Sequence, residues 1–318
     1  MKAIDMHCDT VKALYHNGKS FVENDMHIDL QRLKKGNYMA QCFAMYINQV
    51  KDGPDCKAAC DNYIAFFKKL MDENRGVIRQ AYTADEIEDN YAKGYLSAVL
   101  TIEGGEAIAG SLENLQHFYD LGVRMMTLTW NFENEIAYPN YITGESMTPD
   151  TEHGLKPFGK TCVKKMQELG MIVDVSHLSD SGIYDVLDIA EKPIAASHSN
   201  ARAVCNVPRN MTDDMIRRLR ENGGIMGLNY CPFFISEDAE HDQIPDIVKH
   251  ALHIADVGGI ETLALGSDFD GIPTPVGMDD CTKTNELYNA LRAAGFSESD
   301  LDKVFWQNFL RVLRENEA

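Results

Sequence analysis

Short apolar runs that read as buried strands recur along the chain, at residues 3–6, 38–47, 97–102, 123–130, 171–176, 193–197, 223–229 and 262–267. Continuous rather than alternating hydrophobicity is what a strand covered on both faces requires. Between several of these runs lie amphipathic stretches, at 56–72, 158–169, 179–190, 212–221 and 245–256, opened by Ser, Thr or Asp and closed by Gly. Such spacing and punctuation predict helices. Strands alternating with helices predict a parallel sheet, since parallel neighbours need a long crossover. Eight strands with helical crossovers fit a (β/α)8 barrel better than a doubly wound sheet, and no Gly-rich phosphate turn follows residues 3–6.

No low-complexity tract, flexible linker or internal repeat interrupts the 318 residues, so the expectation is one domain over 1–318. The spacing is uneven, with surplus residues between the second and third strands and between the fourth and fifth. In the second gap, TWNFENEIAYPNYITGESMTPDTEHGLKPFG (129–159) mixes Asn, Pro, Gly and aromatics, as expected of an enlarged loop covering an active site.

Composition narrows the function classes. Lys and Arg number 30 against 49 Asp and Glu, a formal charge of -19. That field repels phosphate backbones and anionic headgroups, which argues against nucleic-acid and peripheral-membrane roles. The opening MKAIDMHCDT puts charges where a secretory signal needs an apolar run, and no stretch approaches a membrane span. A cytoplasmic protein is expected. The eight cysteines are scattered, and Cys56 and Cys60 lack a second Cys or His pair, so reduced thiols are expected and a structural zinc site is not.

The candidate chemistry lies at the carboxyl ends of the predicted strands. His7 and Asp9 form an H-x-D pair after the first, Glu103 ends LSAVLTIE before two glycines, His177 closes MIVDVSH and His198 closes PIAASH. Asp268, in LALGSDFDG, puts a further carboxylate on the same rim, with Asp270 two residues on. Each alone has a bland reading as a core histidine, a cap or a loop acid. In a barrel, however, all of these converge on the face where active sites of this fold lie. Three imidazoles with Asp9 and Glu103 are too many ligands for one open tetrahedral zinc site, but they suit two metals bridged by a carboxylate. Glu103, central in strand order, is the expected bridge between a His7/Asp9 site and a His177/His198 site. Nitrogen-rich ligation favours two zinc ions, though other divalent transition metals share these ligands. Paired cations make hydroxide from a bridging water near neutrality. Asp268 is then placed to act as general acid and base.

These residues sit in motifs that resemble the membrane (renal) dipeptidases and their bacterial cytosolic relatives, peptidase family M19, a branch of the amidohydrolase-like metal enzymes. The matching pieces are His7 to Asp9, EGG (103–105), LTWN (128–131), GLKPFG (154–159), DVSH (174–177), SHSNARAVCNVPRN (197–210) and GSDFDG (266–271). The resemblance implies a dizinc barrel that hydrolyses small dipeptides, tolerates a C-terminal D-residue and works as a homodimer. It places the metal ligands on His7, Asp9, Glu103, His177 and His198, the acid/base on Asp268, and the substrate-carboxylate site on Arg209. A planar guanidinium suits that last task because it donates two parallel hydrogen bonds. One position departs from the mammalian pattern: Trp130 stands where those enzymes have a histidine. Indole donates one hydrogen bond but carries no charge, so Trp130 shapes the substrate pocket, marks a different substrate, or is simply a buried aromatic packing under the loop. Two other readings are an amidohydrolase of another bond, such as an N-acyl-D-amino acid, lactone or phosphoester, and a catalytically silent homologue.

Overall fold

A computed structural model describes residues 1–140, 148–238 and 240–317. Nine parallel strands are present among them: β1 (Ala3–Asp5), β2 (Tyr38–Tyr46), β3 (Ile78–Gln80), β4 (Leu96–Glu103), β5 (Val123–Thr127), β6 (Ile172–Asp174), β7 (Ala195–Ala196), β8 (Ile225–Leu228) and β9 (Leu263–Leu265). Eight of them form a ring in the order β2-β1-β9-β8-β7-β6-β5-β4, closed by pairing of β2 with β4 from Ala40↔Ser97 to Tyr46↔Glu103. This is the closed parallel (β/α)8 barrel expected from the sequence, and each predicted run overlaps one ring strand. The ninth, β3, is absent from the hydrophobic pattern. It pairs with Leu96–Ala98 of β4, on the edge that β5 takes over from Leu100 onward.

Period-2 alternation divides each strand between two apolar layers. Ile4, Val99, Met125, Ile172, Ala195, Ile225 and Ala264 belong to an inner cluster, whereas their neighbours Ala3, Leu100, Met126, Val173, Ala196, Met226 and Leu265 pack outward in the larger cluster with the helices. The helix Asn308–Asn316 adds Phe309, Leu310, Val312 and Leu313 to the inner cluster and plugs the end of the barrel opposite the candidate site. All five predicted crossover helices are present, as Cys56–Glu73, Pro157–Leu169, Asp180–Ile189, Asp213–Glu221 and Ile244–Gly258. Among the described residues no helix is long and apolar enough to cross a membrane. All eight cysteines are free and buried.

The long segment between β5 and the helix starting at Pro157 is tied down at several points. Asn134 Nδ2 donates to Leu128 O (2.9 Å), Ala137 bridges Leu155, and Asn140 Nδ2 donates to Asp180 Oδ1 (2.6 Å). Residues 141–147, part of the predicted cover, lie outside the described residues.

Glu106, just past β4, is a buried carboxyl whose Oε1 has no hydrogen-bond partner and whose Oε2 accepts from Asn134 Nδ2 (3.2 Å). Burial first, and the nearby Glu103 and Glu135 charges, push its pKa from 4.5 up to about 7. With the folded pKa above the unfolded one, stability falls as pH rises from 4.5 to about 7, by about 3 kcal/mol in all. Glu106→Gln removes the titration. It is therefore expected to be more stable than the wild type by up to about 3 kcal/mol at pH 8, with the difference vanishing below pH ~4.5. Urea unfolding of both proteins at pH 4.5 and pH 8 checks this, and equal differences at the two pH values would contradict it.

Candidate metal centre

Each predicted ligand leaves the ladder at the carboxyl end of its strand. His7 follows β1 by two residues, Glu103 is the last residue of β4, and His177 and His198 follow β6 and β7. The backbone there is specialised. His177 (φ 69°), Asp268 (φ 65°) and Asp270 (φ 67°) adopt the left-handed region, which costs about 1–3 kcal/mol for a non-glycine residue and concentrates at functional sites. Gly104 (φ 105°) turns the chain sharply after Glu103. At Gly271 a Cβ would collide with Asp9 Oδ2, so only glycine lets the turn after Asp268 close on that carboxylate.

The structure brings His7, Asp9, Glu103, His177, His198 and Asp268 together. Glu103 divides its oxygens between two groups. Oε1 lies 2.9 Å from His177 Nε2 and 3.4 Å from His198 Nε2, whereas Oε2 lies 3.6 Å from His7 Nε2. Around His7 Nε2 stand Asp9 Oδ2 at 3.7 Å and Asp268 Oδ1 at 3.8 Å. Donor atoms of His7, Glu103 and His198, and those of His7, Asp9 and Asp268, fall within 4.8 Å of one another.

Hydrogen bonds behind the histidines fix their tautomers. His177 Nδ1 is 2.8 Å from Asn131 Oδ1, an acceptor, so the proton sits on Nδ1 and Nε2 is bare. Ser197 Oγ gives its one proton to Asp174 Oδ2 (2.5 Å), which leaves it to accept from His198 Nδ1 (2.7 Å). His198 Nε2 is therefore bare as well. Asp174 also accepts from Thr127 Oγ1, Ser176 N and Ser197 N, which ties the ends of β5, β6 and β7 together. Asp5 does the same between β1 and β9, accepting from His7 N, Ser267 N and Ser267 Oγ.

The donor set fits cations. The two bare nitrogens of His177 and His198 face each other at 2.9 Å beside a carboxylate oxygen, an arrangement that repels unless something positive is shared. His7 Nε2 and Asp9 Oδ1 are buried without hydrogen-bond partners, as ligand atoms would be. Electrostatics agree for His177 and His198 but not for His7. There burial is outweighed by Glu103 and Asp9, which raise the pKa well above its ordinary value, so that a cation would have to displace a proton. Burial, followed by the Arg209 charge, pushes the His177 pKa down to about 4, and burial with the His7 charge pushes His198 well below its ordinary value. Both thus stay neutral, as metal ligands must be. Burial opposes ionisation of Glu103, but the His7 charge and the contacts of the surrounding imidazoles outweigh it and hold the carboxylate well below its usual range.

Asp268 differs from the other carboxylates. Burial pushes its pKa to about 7, against the lowering effect of His7. Asn229 Nδ2 holds its Oδ2 (3.0 Å) and also reaches His198 O (3.2 Å), leaving Oδ1 toward the centre. Asp270 turns away, accepting from Thr10 Oγ1 (2.5 Å) and His27 N (2.7 Å). Arg209 is buried beside the candidate ligands, with Nη2 donating to His198 O (3.3 Å), its guanidinium 5.3 Å from the Phe234 ring and its Nε without a partner. Trp130 is half-buried, packed edge-on to Tyr46 (5.0 Å), 5.4 Å from Phe132 and 6.3 Å from the His177 ring. It lines a cavity of about 670 Å³ that opens over Asp9, Glu103, His177 and Asp268.

Asn131, Asp174, Ser197 and Asn229 do not stand out in the sequence. The first three lie within motifs that do, LTWN, DVSH and SHSN, but nothing in an isolated Ser or Asn says which ring nitrogen it will meet. Outer hydrogen bonds of this kind orient metal ligands. Ser197→Ala is expected to weaken metal binding about 10- to 100-fold with little change in the barrel. Competition with a chromogenic chelator measures it, and an unchanged affinity would show that Ser197 does not orient His198 for a metal.

A closed parallel barrel whose carboxyl rim gathers imidazoles and carboxylates around bare, unpartnered donor atoms defines the class of amidohydrolase-like metal enzymes. Comparison with known proteins makes the assignment narrower. The family model "Membrane dipeptidase (Peptidase family M19)" matches residues 1–318, and the chain belongs to that family of metallodipeptidases. A Klebsiella pneumoniae protein described as "Uncharacterized protein in pqqA 5'region" is 36% identical over 255 residues, 79% of this chain and 93% of its own. Dipeptidase tcpJ of Claviceps purpurea is 31% identical over 300 residues, 92% of this chain and 69% of its own. Among solved structures, a metallopeptidase from Rhodobacter sphaeroides, liganded with a phosphinate mimic of the dipeptide L-Ala-D-Ala, superposes with a TM-score of 0.91 at 28% identity, covering 99% of both chains.

Proposed function

We propose that the chain is a dizinc dipeptidase that hydrolyses small free dipeptides, including those with a C-terminal D-residue. The observation that carries the two-metal reading is the division of Glu103 between bare His177 and His198 nitrogens on one oxygen and His7 on the other. His7, Asp9 and Glu103 would hold one cation, and Glu103, His177 and His198 the other. When bound, the cations supply an activated water and polarise the scissile carbonyl.

The chain's own residues do the remainder. Asp268 Oδ1 takes a proton from the attacking water and delivers it to the leaving nitrogen, for which a pKa near 7 is suited. Asn229 holds the other oxygen, so the proton stays on the atom facing the centre. Arg209 receives the substrate's terminal carboxylate, and its unpartnered buried Nε–H supports that reading. Trp130 and Tyr46 form an aromatic wall that orients the substrate side chain. The relative liganded with an L-Ala-D-Ala mimic supports tolerance of a D-residue. Eight free buried cysteines support a reducing, cytoplasmic setting. The homodimer rests on family resemblance, and light scattering tests it.

The decisive experiment is to quantify bound metal in the purified protein and assay L,L and L,D dipeptides with the wild type and with Arg209→Ala. Turnover of several dipeptides is expected, with kcat/KM lowered about 30-fold or more in the variant, because a buried charge pair is broken. No turnover of any dipeptide by fully metal-loaded protein would sink the proposal. Hydrolysis of an ester lacking a carboxylate, unaffected by Arg209→Ala, would instead favour an amidohydrolase of another bond.

A further inference from the structure

The wall of the active-site cavity formed by the segments after β1 and β2 carries a charge that the proposed chemistry does not use. Lys12 is buried there, with Nζ donating to Asp52 Oδ2 (2.6 Å) and Tyr46 O (3.0 Å) and lying 4.2 Å from the Tyr46 ring centroid. Asp52 is in turn filled by Tyr63 Oη (2.7 Å) and Asn48 N (2.7 Å). This pair is neutral and rigid. Lys51, exposed beside it on the same cavity, has no ion-pair partner among the described residues. The other charged groups lining the cavity are committed. Asp9, Glu103, His177 and Asp268 face the metal centre, and Asp270 is held by Thr10 and His27. Lys51 thus gives this wall one uncompensated positive charge, in a protein whose net charge is -19.

The position of that charge is informative. Around the ring, β2 is four strands from β7 in either direction, so the segment after β2 that carries Lys51 stands across the barrel mouth from the segment after β7 that carries Arg209. The candidate metal centre lies between them. A dipeptide with its terminal carboxylate on Arg209 and its peptide bond over the centre therefore extends its N-terminal residue toward Lys51.

We infer that Lys51 is a specificity-determining residue, and that the preferred substrates carry a carboxylate side chain on the N-terminal residue, as in aspartyl or glutamyl dipeptides. This rests on the dipeptidase reading. The side-chain carboxylate would meet the Lys51 ammonium at the rim and the remaining N–H of Lys12 deeper in the wall. Because Lys51 is exposed, the preference is modest and weakens with added salt.

The test compares kcat/KM of the metal-loaded enzyme for glutamyl-alanine against its neutral isostere glutaminyl-alanine, and for alanyl-glutamate against alanyl-glutamine, at low and high salt. The glutamyl substrate is expected to be favoured about fivefold at low salt, through KM rather than kcat. Lys51→Gln should bring that ratio to about one, and Lys51→Glu should invert it, with the alanyl-glutamate ratio unmoved in both. A glutamyl substrate no better than the glutaminyl one overturns the inference, as does a ratio insensitive to both substitutions. An equal response of the alanyl-glutamate ratio overturns the assignment to the N-terminal residue. Absence of turnover with every dipeptide is a different failure, because it removes the dipeptidase reading itself.

Discussion

Glu103→Gln is expected to leave the protein folded but without metal, and to lower turnover to one part in about 10⁴ or less, since water unassisted by a cation has a pKa of about 15.7 rather than about 7. The effect is large because one side chain touches both groups of candidate ligands, through Oε1 at 2.9 Å from His177 Nε2 and Oε2 at 3.6 Å from His7 Nε2. A glutamine keeps one acceptor oxygen and replaces the other with an amide NH₂, which cannot ligate. That NH₂ would instead donate to a bare imidazole nitrogen and compete for the lone pair a cation needs. The fold should survive, because Glu103 joins the barrel through backbone pairing with Tyr46 and Thr127. Elemental analysis and circular dichroism together check the outcome. A folded variant that kept its full metal content would show that Glu103 is not shared between the two groups.

Asp268→Asn is expected to lower kcat by about 10²- to 10⁴-fold while metal content stays at the wild-type level. Asparagine is among the few residues that tolerate the left-handed conformation of this position (φ 65°), and its carbonyl oxygen can still accept from Asn229 Nδ2. The substitution therefore removes a titrating proton site with little else disturbed. Asp268 Oδ1 is also 3.8 Å from His7 Nε2, close enough to serve as a ligand. The two roles separate cleanly: lost metal marks a ligand, whereas lost turnover with metal retained marks the proton carrier.

The barrel was legible because strands buried on both faces have to be continuously apolar, and a run such as MIVDV has few other uses. Strand β3 was not, since Ile78–Gln80 reads IRQ, three residues with one apolar side chain, and it pairs with only Leu96–Ala98 of β4. Strand ends overshot for a related reason. Leu128 and Trp130 prolong the apolar run after Thr127, yet they have left the ladder to pack in the segment that passes the site. The candidate ligands that the structure brings together were legible as polar interruptions that each closed an apolar run. The residues behind them were hidden, because Asn131 and Ser197, which set the His177 and His198 tautomers, and Asn229, which holds Asp268, are uncharged residues of the kind that cap turns everywhere. Lys51 was hidden for another reason. Only the ring order shows which lysine faces the cavity from the side opposite Arg209.

The plug formed by Asn308–Asn316 bears on how the chain reaches this structure during synthesis. The inner layer is complete only when Phe309, Leu310, Val312 and Leu313 have arrived, and β1 cannot take its second neighbour until β9 pairs Asp5 with Leu265. A nascent chain can form its crossover helices early. The barrel, however, closes through contacts between segments some 260 residues apart, the kind of long-range pairing that makes folding slow and leaves apolar strands open in the interval. On the ribosome the first strand can meet β2 early but is made long before β9, so one of its edges stays open until the chain is nearly complete.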